Sequence, residues 1–288
     1  MAEILDGRAI AERIREKIKQ RVANLPSKPG LAVLLVGSNP ASHTYVNIKQ
    51  KACEEVGIHF EKTSYSATET EETLINHIRT LNARADIHGI LVQLPLPSQD
   101  ATRIIAEINP EKDVDGFHPE NVRRLKAGEP AIASAVALGV MKLIGPRTGD
   151  AVIVSSPLFA EPLITLMKER RINAIVVDGD DPSLAQKTKT ADILVVAVGR
   201  PEFLTGEMVK PGATVIDVGT TKKDGVLYGD ADRASVASVA GALTPVPGGV
   251  GPMTVAMLLV NVLKAYDLQG KQFSDHASSE QQDEDPSE

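Results

Sequence analysis

The sequence predicts an α/β protein of two domains, and three observations carry that prediction. Short apolar runs alternate with helical periodicity along most of the chain, the pattern of parallel sheets covered by helices on both faces. The alternation comes in two series, separated by a stretch, 109–150, that holds several turn signals. The 288 residues are enough for two compact domains, each with its own core.

Residues 6–25 place Ile10, Ile14 and Ile18 on one face with charges opposite, which predicts an amphipathic helix. LAVLLVG (31–37) is a continuous apolar run bounded by glycines, hence a buried strand. ASHTYVNIKQKACEEVGI carries helical periodicity and stops at Gly57, and HFEKTSYS reads as a second strand. TETEETLINHIRTL reads as a helix with acids in its first turn, where the helix dipole favours them. GILVQLPLP (89–97) is a third strand, stopped by its prolines. The second series runs AVIVSS (151–156), a helix to about Arg171, AIVVD (174–178), a helix, DILVVAV (192–198) and ATVIDVG (213–219). A long apolar helix follows, from about Pro252 to Leu268. The segment after Gly270, ending in SDHASSEQQDEDPSE, is acidic and nearly free of large apolar residues, so it is expected to be a disordered, solvated tail.

Composition narrows the function. The net charge of −7 and 3% aromatic content, without tryptophan, offer neither a basic surface nor stacking platforms, which argues against nucleic-acid binding. The six histidines are scattered without HExxH or paired Cys/His spacing, so no metal site is expected. The richest apolar run, AMLLVNVL, is too short for a membrane span. The charged N-terminus lacks the apolar core of a signal peptide, and the single cysteine, Cys53, fits a reducing compartment; both point to the cytoplasm. Cys53 is expected to be a small core residue and not a nucleophile.

Four features concentrate chemistry. Tyr45 and Lys49 are four apart on a helix and share a face. The strand GILVQLP presents Gln93 at its carboxyl edge, where parallel α/β folds place ligands. EKDVDGFHP sets Asp113 and Asp115 around a turn, with Asp113 read as the turn's cap. TPVPGGVGPMT (244–254) is a Pro/Gly loop running straight into a helix, and such loops let backbone approach a ligand closely. His88 and His118 flank these segments and are expected to be surface residues.

VGSNPASHTYVNIKQKACEEVGI, HGILVQLPLP, INPEKDVDGF and TPVPGGVGPMT resemble, in order and spacing, signature segments of the bifunctional methylenetetrahydrofolate dehydrogenase/cyclohydrolase family, over about residues 3–268. The resemblance implies an N-terminal α/β folate domain (1–141), a Rossmann-like domain (142–251), a cleft between them, and a last helix (252–269) returning to the first domain, followed by the tail (270–288). It implies Lys49 as catalytic lysine with Tyr45 beside it, Gln93 as the glutamine that orients it, and Asp115 as the carboxylate that grips the pterin. Val92, Leu94, Pro247, Gly248, Gly251, Pro252 and Val255 match its apolar and backbone contacts to folate. It also implies a homodimer formed through the second domain.

The nucleotide side departs from the family. Relatives that transfer hydride carry a V-G-R-S-x-x-V-G-x-P loop after the first strand of the second domain. This chain reads Val154-Ser155-Ser156-Pro157-Leu158-Phe159-Ala160-Glu161-Pro162, one residue shorter, without the arginine or either glycine. A Cβ at those positions blocks close approach of backbone N–H groups to phosphate. After the next strand stands Asp178-Gly179-Asp180-Asp181, read either as an exposed turn, the preferred reading, or as an acid that accepts from a ribose hydroxyl. Ser134-Ala135-Val136-Ala137 and Val218-Gly219-Thr220-Thr221 replace two further cleft-lining segments. The expectation is therefore a methenyltetrahydrofolate cyclohydrolase with weak or lost dehydrogenase activity, needing no cofactor for hydrolysis, with Ser155, Ser156 and Pro157 as a degenerate nucleotide loop and use of NADP or NAD left open. The alternatives are a fully bifunctional NAD(P)-dependent enzyme and a non-catalytic folate-binding paralogue.

Overall fold

The structure, a computed structural model, describes residues 2–280, with side chains described as far as Gly270. The first series comprises β1 (Glu3–Ile4), α1 (Gly7–Val22), β2 (Gly30–Val36), α2 (Pro40–Val56), β3 (His59–Tyr65), α3 (Glu71–Ala83) and β4 (Gly89–Val92). Helix α4 (Ala101–Ile105) follows β4, and α5 (Pro119–Lys126) and α6 (Ala135–Ile144) lie within the stretch 109–150, where the sequence shows turn signals. The second series is β5 (Asp150–Ser155), α7 (Pro157–Glu169), β6 (Asn173–Val177), α8 (Leu184–Thr188), β7 (Ile193–Ala197) and β8 (Thr214–Asp217). It closes with β9 (Thr221–Lys223), β10 (Val226–Tyr228), α9 (Arg233–Val239), β11 (Ala242–Leu243) and α10 (Val250–Glu280).

These elements form two compact units. One, Arg15–Ala133 with the chain from Leu258 onward, contains the parallel sheet β3-β2-β4. β2 is central and buried at every residue, as its unbroken apolar run predicts. The core beneath it joins Leu34 and Val36 to Leu74, Ile75 and Ile78 of α3 and Ile90 of β4. The other unit, the residues up to Ile14 with Ser134–Met257, contains the parallel sheet β1-β11-β8-β7-β5-β6, a Rossmann-like arrangement. Val152, Val154, Leu194, Val196, Val215 and Leu243 form the core of one face.

The unit boundaries differ from the expected 1–141 and 142–251. The N-terminal residues join the six-stranded unit because β1 pairs with β11, and the Arg8 N–H donates to the Gly248 carbonyl at 2.9 Å. Gly7 lies against Gly249 so closely that a Cβ on it would stand 2.0 Å from that carbonyl oxygen. Helix α6 belongs to the same unit, where Gly139 leaves room for Met253. From Leu258 on, α10 belongs to the three-stranded unit, where Asn261 Nδ2 donates to the carbonyls of Val114 and Ala133, both at 2.9 Å. The backbone of α10 stays helical to Glu280, past the end expected at 268–269; no proline interrupts the sequence before Pro286. The tail from residue 281 on lies outside the described residues.

Candidate active site

Helix α2 delivers the lysine. Asn39 caps it, Oδ1 accepting the N–H groups of Ala41 (2.9 Å) and Ser42 (3.2 Å), and Pro40 takes the first position, where no N–H is needed. Gly57 ends it in the left-handed region (φ 86°), with the Ile58 N–H returning to Cys53 O at 3.0 Å. The buried stripe of α2 is Ser42, Val46, Lys49, Ala52, Cys53 and Val56, so Lys49 occupies a packing position, not a solvated one. Tyr45, one turn earlier, is half-buried.

Gln93 follows β4 directly; the strand itself ends at Val92, short of the stretch expected from the sequence, because Pro95 has no N–H to continue a ladder. The Gln93 N–H still donates to Leu34 O at 2.9 Å, and Nε2 donates to Leu94 O at 2.7 Å. That fixes the amide with its oxygen free, and Oε1 accepts from Lys49 Nζ at 2.9 Å. Val92, 3% exposed, packs in the core, and Leu94 is half-buried.

Asp115 arrives by an extension of the same sheet. Residues 112–114 run beside β4, with Ile90 N–H donating to Lys112 O at 2.7 Å and Ile90 bridging Asp113 in parallel register. Gly89 permits this, since a Cβ there would lie 2.7 Å from Val114 Cγ1. Asp113 is 1% exposed and organises the turn, accepting from Gly116 N–H (3.1 Å), His118 N–H (2.8 Å) and Asn121 Nδ2 (3.1 Å). With the turn held by Asp113, no hydrogen bond among the described residues claims the Asp115 carboxylate.

Burial pushes Lys49 below the ordinary lysine range, and the nearby Asp115 charge opposes that shift. Asp115 is pushed up by burial, opposed by Lys49 and reinforced by Asp113. Cys53, wholly buried, has its thiol pushed up to about 12, mainly by burial, so it stays protonated and inert.

His88 and His118 are buried, contrary to the expectation of surface positions. His88 Nδ1 accepts the Gly30 N–H at 3.1 Å, and His118 Nδ1 accepts the Glu120 N–H at 2.9 Å as N-cap of α5. Both rings satisfy backbone groups that burial would otherwise leave unpaired.

In the six-stranded unit, Pro247 is exposed and Gly248 is buried with φ 116°, a conformation that suits glycine. Gly251, Pro252 and Val255 lie in the first turns of α10. A Cβ on Gly251 would meet nothing within 4 Å, so packing does not demand glycine there. At the carboxyl edge of β5, Ser155 is the last strand residue, Ser156 caps α7 without a side-chain cap bond, and Pro157 is its first residue. The first backbone bond into the helix is Ala160 N–H to Ser156 O, and among the described residues nothing claims the Leu158 and Phe159 N–H groups. The acidic segment is a turn: Asp178 Oδ1 accepts the Asp180 N–H at 2.8 Å, and Asp181 accepts from Ser183 N–H at 2.7 Å and Lys187 Nζ at 2.6 Å.

Two buried carboxylates at this edge escape sequence reasoning. Asp217 ends β8, accepts from Gly219, Asp230 and Ala231 N–H groups at 2.9–3.0 Å, and is pushed up to about 6 by burial. Asp230 Oδ2 takes the Val198 and Gly199 N–H groups at 2.6 and 2.9 Å, while its buried Oδ1 has no partner among the described residues. An acid at the end of an apolar strand, as in ATVIDVG, is the available signal.

A parallel-sheet unit with a buried lysine–glutamine pair and an unclaimed carboxylate, together with a Rossmann-like unit, places the chain in the class of two-unit α/β proteins. Comparison with known proteins specifies it. Residues 5–115 match the family model "Tetrahydrofolate dehydrogenase/cyclohydrolase, catalytic domain", and residues 134–270 match "Tetrahydrofolate dehydrogenase/cyclohydrolase, NAD(P)-binding domain". The chain belongs to the tetrahydrofolate dehydrogenase/cyclohydrolase family. It is similar to "Bifunctional protein FolD" of Bordetella avium, 48% identical over 92% of this chain and 97% of that protein. The protein of the same name from Dechloromonas aromatica is 47% identical over the same shares. Among solved structures, the bifunctional enzyme FolD of Campylobacter jejuni superposes with TM-score 0.88 at 40% identity, covering 93% of this chain and 99% of that one. The Trypanosoma brucei enzyme, solved with NADP cofactor and inhibitor, gives TM-score 0.86 at 35% identity, covering 92% and 97%. Among the described residues, no helix is long and apolar enough to cross a membrane.

Proposed function

We propose that the chain is a bifunctional 5,10-methylenetetrahydrofolate dehydrogenase and 5,10-methenyltetrahydrofolate cyclohydrolase, with Lys49 as the acid–base group of hydrolysis. The observation that carries the reading is the buried Lys49 Nζ held 2.9 Å from Gln93 Oε1, with Asp115 as its nearby counter-charge. An ionised Asp115 accepts two hydrogen bonds from the donor edge of the pterin, which sets the ring's orientation. The methenyl bridge carbon is cationic, and a second cation close to Lys49 pushes the lysine further toward its neutral form. Neutral Lys49 accepts a proton from water as the oxygen bonds to the bridge carbon. It returns a proton to a bridge nitrogen as that C–N bond breaks, and the hydroxyl proton left on the bridge carbon's oxygen passes to solvent as the C=O forms, leaving 10-formyltetrahydrofolate. Gln93 aims the lysine.

NAD(P)⁺, when bound, supplies the hydride acceptor for the dehydrogenase half. The six-stranded unit fits a dinucleotide at the carboxyl edge of β5, where Ser156 and the unclaimed Leu158 and Phe159 N–H groups would meet its phosphates. The expectation of weak or lost dehydrogenase activity is less well supported than the bifunctional reading, because the match to the NAD(P)-binding domain spans the altered turn. It stands as the second reading on one observation: Pro157 at the first helical position removes a phosphate donor that the family's glycine loop keeps.

The test is spectroscopic. Decay of 5,10-methenyltetrahydrofolate absorbance measures hydrolysis; methylenetetrahydrofolate with NAD⁺ or NADP⁺ reports hydride transfer as reduced nucleotide. Both signals are expected. Hydrolysis alone would leave the second reading, and neither would leave a non-catalytic folate binder. We also propose a homodimer formed through the six-stranded unit, where β6 is an edge strand with Ile175 46% exposed; light scattering would reveal a monomer if this is wrong.

A further inference from the structure

The structure assigns Asp178 the choice between the two nicotinamide nucleotides: we propose that it selects NAD⁺ over NADP⁺. This rests on the dehydrogenase half of the proposed function and deepens it. Asp178 follows the last residue of β6, the strand beside β5, which is where a Rossmann-like sheet meets the ribose of a nucleotide seated on the first strand-to-helix turn.

Three acids crowd this turn, and the structure separates their roles. Asp181 is consumed locally, since Ser183 and Lys187 Nζ both bond to it. Asp180 is consumed by Arg200, whose Nη2 donates to it at 2.7 Å. Asp180 is neutralised by that ion pair, whereas Asp178, which directly follows β6, has no salt-bridge partner among the described residues: Oδ1 takes the Asp180 N–H at 2.8 Å, which orients the carboxylate, and Oδ2 has no hydrogen-bond partner among the described residues. An oriented, exposed carboxylate oxygen accepts a hydrogen bond from a ribose 2′-hydroxyl.

The same geometry rejects a 2′-phosphate. Arg200 is the cation positioned to answer one, but it is held by Asp180 and by the Phe203 ring, 5.2 Å from Cζ to the ring centre. Gly179 keeps the arrangement tight, because a Cβ there would stand 3.3 Å from Val198 Cγ1 and 3.8 Å from Arg200 Cζ. Lys187 is likewise bound to Asp181. A 2′-phosphate would thus meet the Asp178 charge with the neighbouring cations already neutralised, and like charges at short range repel.

The experiment is calorimetric titration of the full chain with NAD⁺ and with NADP⁺, alongside nucleotide-dependent melting, for wild type, Asp178→Ala and Asp180→Ala. Wild type is expected to bind NAD⁺ at least about tenfold more tightly than NADP⁺. Asp178→Ala is expected to lose most of that preference by weakening NAD⁺. Asp180→Ala, which frees Arg200, is expected to strengthen NADP⁺ selectively. Equal or tighter binding of NADP⁺ by wild type overturns the inference and leaves the bifunctional reading standing. An unchanged preference in Asp178→Ala does the same. Binding of neither nucleotide overturns both the inference and the dehydrogenase half of the proposed function.

Discussion

Replacing Lys49 tests the chemistry at its centre, and two substitutions separate its possible roles. Lys49→Met removes the proton carrier while keeping a long apolar stem in the packing stripe of α2. Acid–base catalysis of this kind contributes roughly 10²–10⁴ in rate, or about 2.7–5.4 kcal/mol of transition-state stabilisation at about 1.36 kcal/mol per decade. The methenyltetrahydrofolate decay rate should fall by that factor. Lys49→Arg keeps the positive charge and the donor to Gln93, but arginine does not deprotonate in proteins. If Lys49 works as a base, the arginine variant is as inactive as the methionine one. If it merely contributes charge, Lys49→Arg retains rate within about tenfold of wild type, and the acid–base argument is refuted. Melting curves guard against misfolding, since either variant alters a buried hydrogen bond worth ~1–3 kcal/mol when left unsatisfied. The pH dependence has a definite sign. Only neutral Lys49 accepts a proton, so the rate rises with pH through its pKa. Burial lowers that pKa from 10.5, so the plateau should begin below the ordinary lysine range.

Asp115→Asn should weaken folate binding by roughly 10–150-fold, the loss of one charge-assisted hydrogen bond at ~1.5–3 kcal/mol. It should also move the hydrolysis pH limb downward, because the Asp115 charge raises the Lys49 pKa; a limb that moves upward refutes the pairing. His88 is held neutral by burial, its pKa lowered from 6.5, so the unfolded chain binds more protons on acidification and stability falls with pH below about 6.5. His88→Gln should flatten that part of the denaturation profile between pH 7 and 5, and an unchanged slope would place the acid sensitivity elsewhere. Gly7→Ala drives a Cβ to 2.0 Å from the Gly249 oxygen, an overpacking expected to cost about 1–3 kcal/mol, or roughly 2–12 °C in Tm. Gly251→Ala, with nothing within 4 Å, should leave Tm unchanged while raising the folate KM; a KM equal to wild type would remove Gly251 from the folate surface.

The strands and long helices are legible in the sequence because their information is local. LAVLLVG reads as a buried strand from its unbroken apolar run, and Gly57 marks the end of α2. The same local logic identifies Asp113 as the residue that organises its turn. Sequence by itself also determined the family, since four segments in order constrain identity more than any single pattern does.

Tertiary structure decided what depends on distant pairing. That residues 3–4 belong with the six-stranded sheet follows from a two-residue strand whose partner lies far along the chain, too short to carry periodicity of its own. That Lys49 meets Gln93, and that its charge feels Asp115, follows from α2 packing on β2 and β3 of a sheet that residues 112–114 extend beside β4; the chain separations of 44 and 66 residues hide it. The burial of His88 and His118 was missed for the same reason, because each satisfies a backbone N–H in a setting that no local pattern reveals. Sequence lists the ionisable groups, but the proton each one holds depends on solvent exclusion and neighbouring charge, and both exist only once the chain has folded.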